Sequence, residues 1–151
     1  MERFHAAGRR EVEAHLKRLG LRVTALRLQL YEFFLQPRQR HWTVDEIYRA
    51  MLEQGCDVGL ANTYRVVTDF AKAGMLLRHV FDSGSAVYEV NVGAPHGHAV
   101  CTRCGGIQDL DFDVGAASFG EAVASSGYQM TGYALTLYGI CPACACRPLR
   151  R

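Results

Sequence analysis

Two Cys-x-x-Cys pairs, Cys101-Thr-Arg-Cys104 and Cys141-Pro-Ala-Cys144, limit the folds open to this chain more than any other feature. Each pair presents two sulfurs from one tight turn, and four thiolates at this spacing can close a tetrahedral zinc site. Gly105-Gly106 permits the turn after the first pair. Free or redox-active thiols are the competing reading. Cys146 offers a different fourth ligand through Cys141-x-x-x-x-Cys146, with the shorter pair preferred, and Cys56, in a loop after a helix, is expected only to pack. The start of the chain has no apolar h-region and no later run approaches a membrane span, so a cytoplasmic chain is expected. In that reducing compartment paired cysteines are metal ligands or redox groups more often than disulfides.

Just ahead of the first pair sits His96-Gly97-His98. In a strand these two side chains share a face, which suits chelation; a pair of ordinary surface histidines is the alternative. His41, Glu89 and Asp109 are further donors. A mixed N/O set admits zinc, iron(II) or manganese(II), whereas the soft cysteine set favours zinc. The sequence thus supports a closed soft site and a harder, exchangeable one.

The remainder of the chain has to explain two such sites. Net charge is only +2, so the whole-molecule field says little about partners. Its distribution says more: residues 1–40 hold nine Lys/Arg (Arg3, Arg9, Arg10, Lys17, Arg18, Arg22, Arg27, Arg38, Arg40) against four acids (Glu2, Glu11, Glu13, Glu32). That excess points to an anionic partner for the N-terminal half.

Glu11 to Leu19 reads as a short helix stopped by Gly20. Thr24 caps a second, Ala25 to Gln36, with Leu26, Leu30, Phe33 and Phe34 on one face. Thr43 and Glu46 form a capping box before Val44 to Gln54, whose apolar stripe is Ile47, Met51 and Leu52 and whose end is Gly55. Leu60 to Ala73 follows, with Tyr64, Val67 and Phe70 facing a core and Gly74 as stop. Met75 to Phe81 and Ala86 to Val90, joined by Asp82-Ser83-Gly84-Ser85, read as a hairpin. Short helices followed by a hairpin are the order of a winged helix-turn-helix. Asn91 to Pro95 reads as a hinge. Beyond it, strand-like Ala99 to Thr102, Ile107 to Phe112 and Tyr128 to Tyr138 surround a helical Val114 to Ser125, a module near the size at which a metal staple is needed.

Leu60 to Ala73 would be the recognition helix. At its start Asn62 offers an amide, Thr63 a hydroxyl, Tyr64 a ring and Arg65 a guanidinium, and arginine can bond guanine bidentately. The competing reading makes Tyr64 core and Arg65 a solvated charge. Arg18, Arg22 and Arg27 are candidates for phosphate or minor-groove contact. No nucleophile–base pairing or cofactor fingerprint points to an enzyme.

Several of these motifs, in the same order, resemble the ferric uptake regulator family. They are Leu16 to Thr24 with Arg27, Ala61-Asn62-Thr63-Tyr64-Arg65-Val66, His96 to Gly105, and the closing Cys-x-x-Cys, together covering about residue 16 to Cys144. The resemblance implies an α+β protein: an N-terminal winged helix-turn-helix DNA-binding domain (1–91), a hinge (92–96), and a small α/β dimerisation domain with a four-cysteine zinc site (97–151). It implies a homodimeric, metal-dependent transcriptional repressor acting on an A/T-rich inverted-repeat operator in double-stranded DNA, with no membrane and no small-molecule substrate. By motif position Cys101, Cys104, Cys141 and Cys144 hold one structural Zn2+ per chain. His41, Glu89, His96, His98 and Asp109 hold a regulatory Fe2+ or Mn2+. Tyr64 and Arg65 correspond to base-reading positions, and Arg22 to a basic residue at the minor groove.

The departures carry information. Pro95 and Gly97 stand where many members have ligands of another metal site, so that site is expected to be missing. Glu89 stands near a position where zinc sensors often have cysteine. Asp109 resembles the peroxide-sensing branch, while Glu89 and its spacing to His96 resemble the iron-sensing one. Peroxide sensing through iron-catalysed oxidation of His41 or His96 therefore stands as the alternative to iron-responsive repression.

Overall fold

The structure is a computed structural model that describes residues 8–36, 41–81, 84–93, 96–111, 117–129, 131 and 133–146. Its contacts divide the chain into two compact units, Met1–Val92 and Gly93–Arg151.

The N-terminal unit is a winged helix. Its elements are α1 (Arg9–Arg18), α2 (Ala25–Phe34), β1 (Trp42–Thr43), α3 (Val44–Glu53), α4 (Leu60–Lys72), β2 (Leu76–Val80) and β3 (Ala86–Val90). Local chemistry sets most of the boundaries. The Thr24 side chain accepts from the Arg27 N–H at the start of α2. The Thr43–Glu46 capping box is complete at α3, satisfying donors that the first turn leaves without partners. Gly55 and Gly74 adopt φ of +76° and +74°, the left-handed geometry a side chain resists, and each ends its helix. After Gly74 the chain turns back with Met75 N–H bonded to Phe70 O and Gly74 N–H to Ala71 O, the Schellman pattern.

One apolar core unites these elements. Val12 and Leu16 of α1, Leu28, Leu30, Tyr31, Phe33 and Phe34 of α2, Val44, Ile47 and Met51 of α3, and Val66, Val67 and Phe70 of α4 meet Leu76 and Tyr88 of the wing. Tyr31 meets Phe70 edge-on at 5.8 Å between centroids. Cys56 packs against this core, as expected. Two expectations of the apolar stripes fail. Leu52 is 45% exposed, its place in the α3 stripe being taken by Val44. Tyr64 is 47% exposed and Thr63 is fully buried, so the inward face of α4 is Thr63, Val66, Val67 and Phe70. The Thr63 hydroxyl is satisfied by donating to Gly59 O at 3.1 Å, which lets a polar side chain occupy a core position.

The wing sheet has the order β1-β3-β2, all antiparallel. Trp42 faces Tyr88, Thr43 faces Val87, and Leu77 faces Glu89. Alternation then places Tyr88 and Val90 on the core side, and Val87 and Glu89 on the other face together with His79. The short strand β1 was not anticipated from the sequence. The proposed turn residues Asp82 and Ser83 lie outside the described residues.

The C-terminal unit contains β4 (Gly97–Cys101), β5 (Ile107–Leu110), α5 (Ala117–Ser126), β6 (Leu135–Gly139) and α6 (Pro142–Ala145). Its sheet has the order β5-β4-β6, with β5 antiparallel and β6 parallel to β4. Among the described residues the last strand is Leu135–Gly139, where it pairs with β4, rather than Tyr128 to Tyr138. The expected start of α5 at Val114, the strand end at Phe112, and the hinge residues Ala94 and Pro95 fall outside the described residues. Among the described residues, this unit's buried apolar side chains are Val100 and Cys101. Leu137, Tyr138 and Ile140 of β6 and its exit are about half exposed.

Candidate metal centres and nucleic-acid interface

The parallel pairing of β4 with β6 assembles the cysteine cluster. It sets Gly139 opposite Cys101, so both Cys-x-x-Cys turns leave the sheet at the same end. The first turn closes with Gly105 N–H bonded to Cys101 O at 2.9 Å, and Thr102 N–H reaches across to Gly139 O at 2.8 Å. In the second, Cys141 precedes a single helical turn opened by Pro142, and Cys144 N–H returns to Cys141 O at 3.0 Å. Arg103 ties the turns together by donating to Cys144 O at 2.7 Å.

The four sulfurs of Cys101, Cys104, Cys141 and Cys144 lie within 4.8 Å of one another. Cys104 and Cys141 are 3.8 Å apart. A tetrahedron with Zn–S bonds of about 2.3 Å has an edge of roughly 3.8 Å, so the spacing fits one zinc ion. The electrostatics fit as well. Backbone N–H groups of Cys141 and Cys104 pull the Cys101 thiol down to about 6, while the neighbouring Cys141 and Cys104 sulfurs push Cys144 up to about 12. Sulfurs packed this closely resist multiple ionisation unless a cation offsets their charge. Cys146 is exposed and stands outside the cluster, so the fourth sulfur of the cluster is that of Cys144. Gly106 is also constrained: a Cβ there would lie 3.3 Å from Cys104 Sγ.

The harder donors occur as two local sets. In the N-terminal unit, His41 and Glu89 are buried polar residues, and His41 Nε2 lies 3.3 Å from Glu89 Oε2. The other Glu89 oxygen meets His79 Nε2 at 2.7 Å. In the C-terminal unit, His98 faces Asp109 directly across β4 and β5. His96, two residues before His98, places its ring 4.8 Å from that of His98 and its Nε2 3.9 Å from Asp109 Oδ1. Imidazole nitrogens with carboxylates fit a divalent first-row ion harder than the sulfur set selects. Sequence reasoning missed His79. The only available signal was its place beside Glu89 on one face of a hairpin, which needs the register to be known.

The first two turns of α4 present Leu60, Ala61, Asn62, Tyr64 and Arg65 on the exposed face. Arg65 Nη2 is 3.4 Å from Asn62 Oδ1, so these two side chains stand together. Thr63, offered by the sequence as an outward hydroxyl, is instead an internal anchor of the helix. Arg18 and Arg22 are both exposed. Arg27, a candidate phosphate contact, is committed elsewhere: its guanidinium bonds Asp69 of α4 at 2.6 Å and the Arg22 carbonyl at 2.9 Å. It fixes the segment carrying Arg22 to the helix carrying Arg65. No helix among the described residues is long and apolar enough to cross a membrane.

Comparison with known proteins agrees with these features. Residues 18–138 match the ferric uptake regulator family. The chain is 37% identical over 137 residues to the ferric uptake regulation protein of Neisseria gonorrhoeae, covering 91% of this chain and 95% of that protein. Among solved structures, the ferric uptake regulator of Pseudomonas aeruginosa with manganese aligns with a TM-score of 0.74 at 34% identity, covering 87% of this chain and 98% of that one. The regulator of Francisella tularensis with iron aligns at 0.76 and 31% identity, covering 83% and 96%.

Proposed function

The chain belongs to the ferric uptake regulator family, and from that premise we propose that it is an iron-responsive transcriptional repressor that binds A/T-rich inverted-repeat operators as a homodimer. It is a metal-responsive regulator rather than an enzyme. The observation that carries the reading is the separation of donors by chemistry: a closed four-sulfur cluster apart from buried imidazoles and carboxylates.

Cys101, Cys104, Cys141 and Cys144 hold one structural Zn2+ per chain. His41, Glu89, His96, His98 and Asp109 hold the regulatory Fe2+ or Mn2+, in keeping with the relatives solved with iron and with manganese. A bound dication supplies the positive charge that makes it favourable for these imidazoles and carboxylates to converge. His41 and Glu89 belong to residues 1–91, the DNA-binding domain; His96, His98 and Asp109 belong to or border 97–151, the dimerisation domain. Metal therefore promotes DNA binding to the extent that it prefers the DNA-competent arrangement. The ferric uptake regulation relatives favour iron over peroxide as the signal. Exposed Leu137, Tyr138 and Ile140, at an edge strand, support a second copy as the partner of the C-terminal unit.

Asn62, Tyr64 and Arg65 read bases in the major groove, Thr63 anchors their helix, and Arg22 lies at the minor groove. The test is operator binding by fluorescence anisotropy across a salt series. Arg65→Ala is expected to lose about 1–3 kcal/mol and to relax specificity at one base pair. An Arg65→Ala protein with unchanged affinity and unchanged base preference would refute this placement.

A further inference from the structure

We infer that His79 is a specificity-determining positioning residue for the exchangeable metal: it holds one oxygen of Glu89 so that only the other is presented as a ligand. The inference rests on the reading of Glu89 as a ligand and adds a residue to it.

The geometry lies within the wing. His79 on β2 and Glu89 on β3 share the face opposite the core, His79 being paired with Val87 and so diagonal to Glu89. Its Nε2 is 2.7 Å from Glu89 Oε1, a hydrogen bond about as short as charge-assisted bonds become. A carboxylate only accepts, so Nε2 carries the hydrogen and donates. The imidazole is itself held: it stacks on Phe81 with centroids 5.8 Å apart and planes within 9°. Glu89 Oε2 is left turned toward His41, 3.3 Å from Nε2.

A carboxylate with both oxygens available can bind one ion through both or swing between them. With Oε1 held by His79, Glu89 contributes a single oxygen in a fixed direction. This limits the donor count and favours ions that accept a compact site over larger ions that gain from bidentate carboxylates. Hydrogen-bonded partners of ligating carboxylates act in this way in metal sites generally.

The experiment uses the full zinc-loaded chain with Co2+ as the probe of the exchangeable site, reading affinity and the cobalt d–d spectrum. His79→Ala is expected to weaken Co2+ binding about 10–100-fold and to change the d–d envelope, with zinc content unchanged. His79→Gln, which places an N–H donor near the position of Nε2, is expected to restore most of the affinity and the original spectrum. Wild-type affinity and spectrum in His79→Ala overturn the inference. So does a His79→Gln protein as weak as His79→Ala, since the ring would then act as a ligand or as packing. Glu89→Gln with wild-type Co2+ binding overturns instead the reading of Glu89 as a ligand.

Discussion

Cys104→Ser is expected to abolish tight zinc binding and to unfold the C-terminal unit while the N-terminal unit keeps its helices. The size of the effect follows from what the described residues of that unit bury. Among its described residues the buried apolar side chains are Val100 and Cys101, and Leu137 and Tyr138 of β6 are about half exposed. The N-terminal unit, by contrast, buries apolar residues from α1, α2, α3, α4 and the wing. Zinc bound by such a cluster contributes ~10–16 kcal/mol of apparent free energy, as much as the whole stability of an ordinary domain. Cys104 is a sensitive position because its sulfur sits 3.8 Å from that of Cys141, joining the two turns. Hydrogen exchange checks the prediction by region: β4, β5 and β6 should lose protection while α4 keeps it. Retained protection in β4 with one zinc still bound would mean that the cluster does not staple the unit.

His98→Ala is expected to remove nearly all of the metal-dependent gain in operator affinity while leaving the zinc in place. His98 is buried, faces Asp109 across the sheet and packs beside the His96 ring, so its loss leaves the C-terminal donor set without its central imidazole. Allosteric couplings of this kind are about 1–3 kcal/mol, or roughly 5–150-fold in affinity. The variant should therefore bind operator at the level of wild-type protein stripped of exchangeable metal, at every iron(II) or manganese(II) concentration. Zinc content of one per chain separates this outcome from global misfolding. A variant that still responds to metal like the wild type would remove His98 from the regulatory set.

The features legible in the sequence were those fixed by local chemistry. Thr24, the Thr43–Glu46 box, Gly55 and Gly74 mark helix ends through bonds made within a few residues, and each lies where the sequence puts it. The cysteine cluster was legible because the Cys-x-x-Cys spacing is itself a turn geometry. Features that depend on long-range pairing were not. Tyr64, Val67 and Phe70 fit a helical stripe, but so do Thr63, Val66 and Phe70; the hydroxyl of Thr63 hid its burial, which the Gly59 carbonyl makes possible. The aromatic-rich run from Tyr128 reads as extended throughout, yet among its described residues the strand is Leu135–Gly139, where β4 supplies partners. His79 meets Glu89 through hairpin register alone, and Arg27 turns inward because Asp69, far along the chain, lies within reach.

If a tightly held zinc maintains the fold while a separate, exchangeable ion controls DNA binding, the effects of the two metals can be separated. The most direct measurement is operator affinity of wild-type protein that retains its zinc, with exchangeable metal first removed and iron(II) or manganese(II) then added back under anaerobic conditions. Weak binding is expected after removal, with recovery of about 5–150-fold on addition and zinc constant throughout. Operator affinity that stays the same before and after the exchangeable metal is removed, with zinc still bound, would contradict this division of roles.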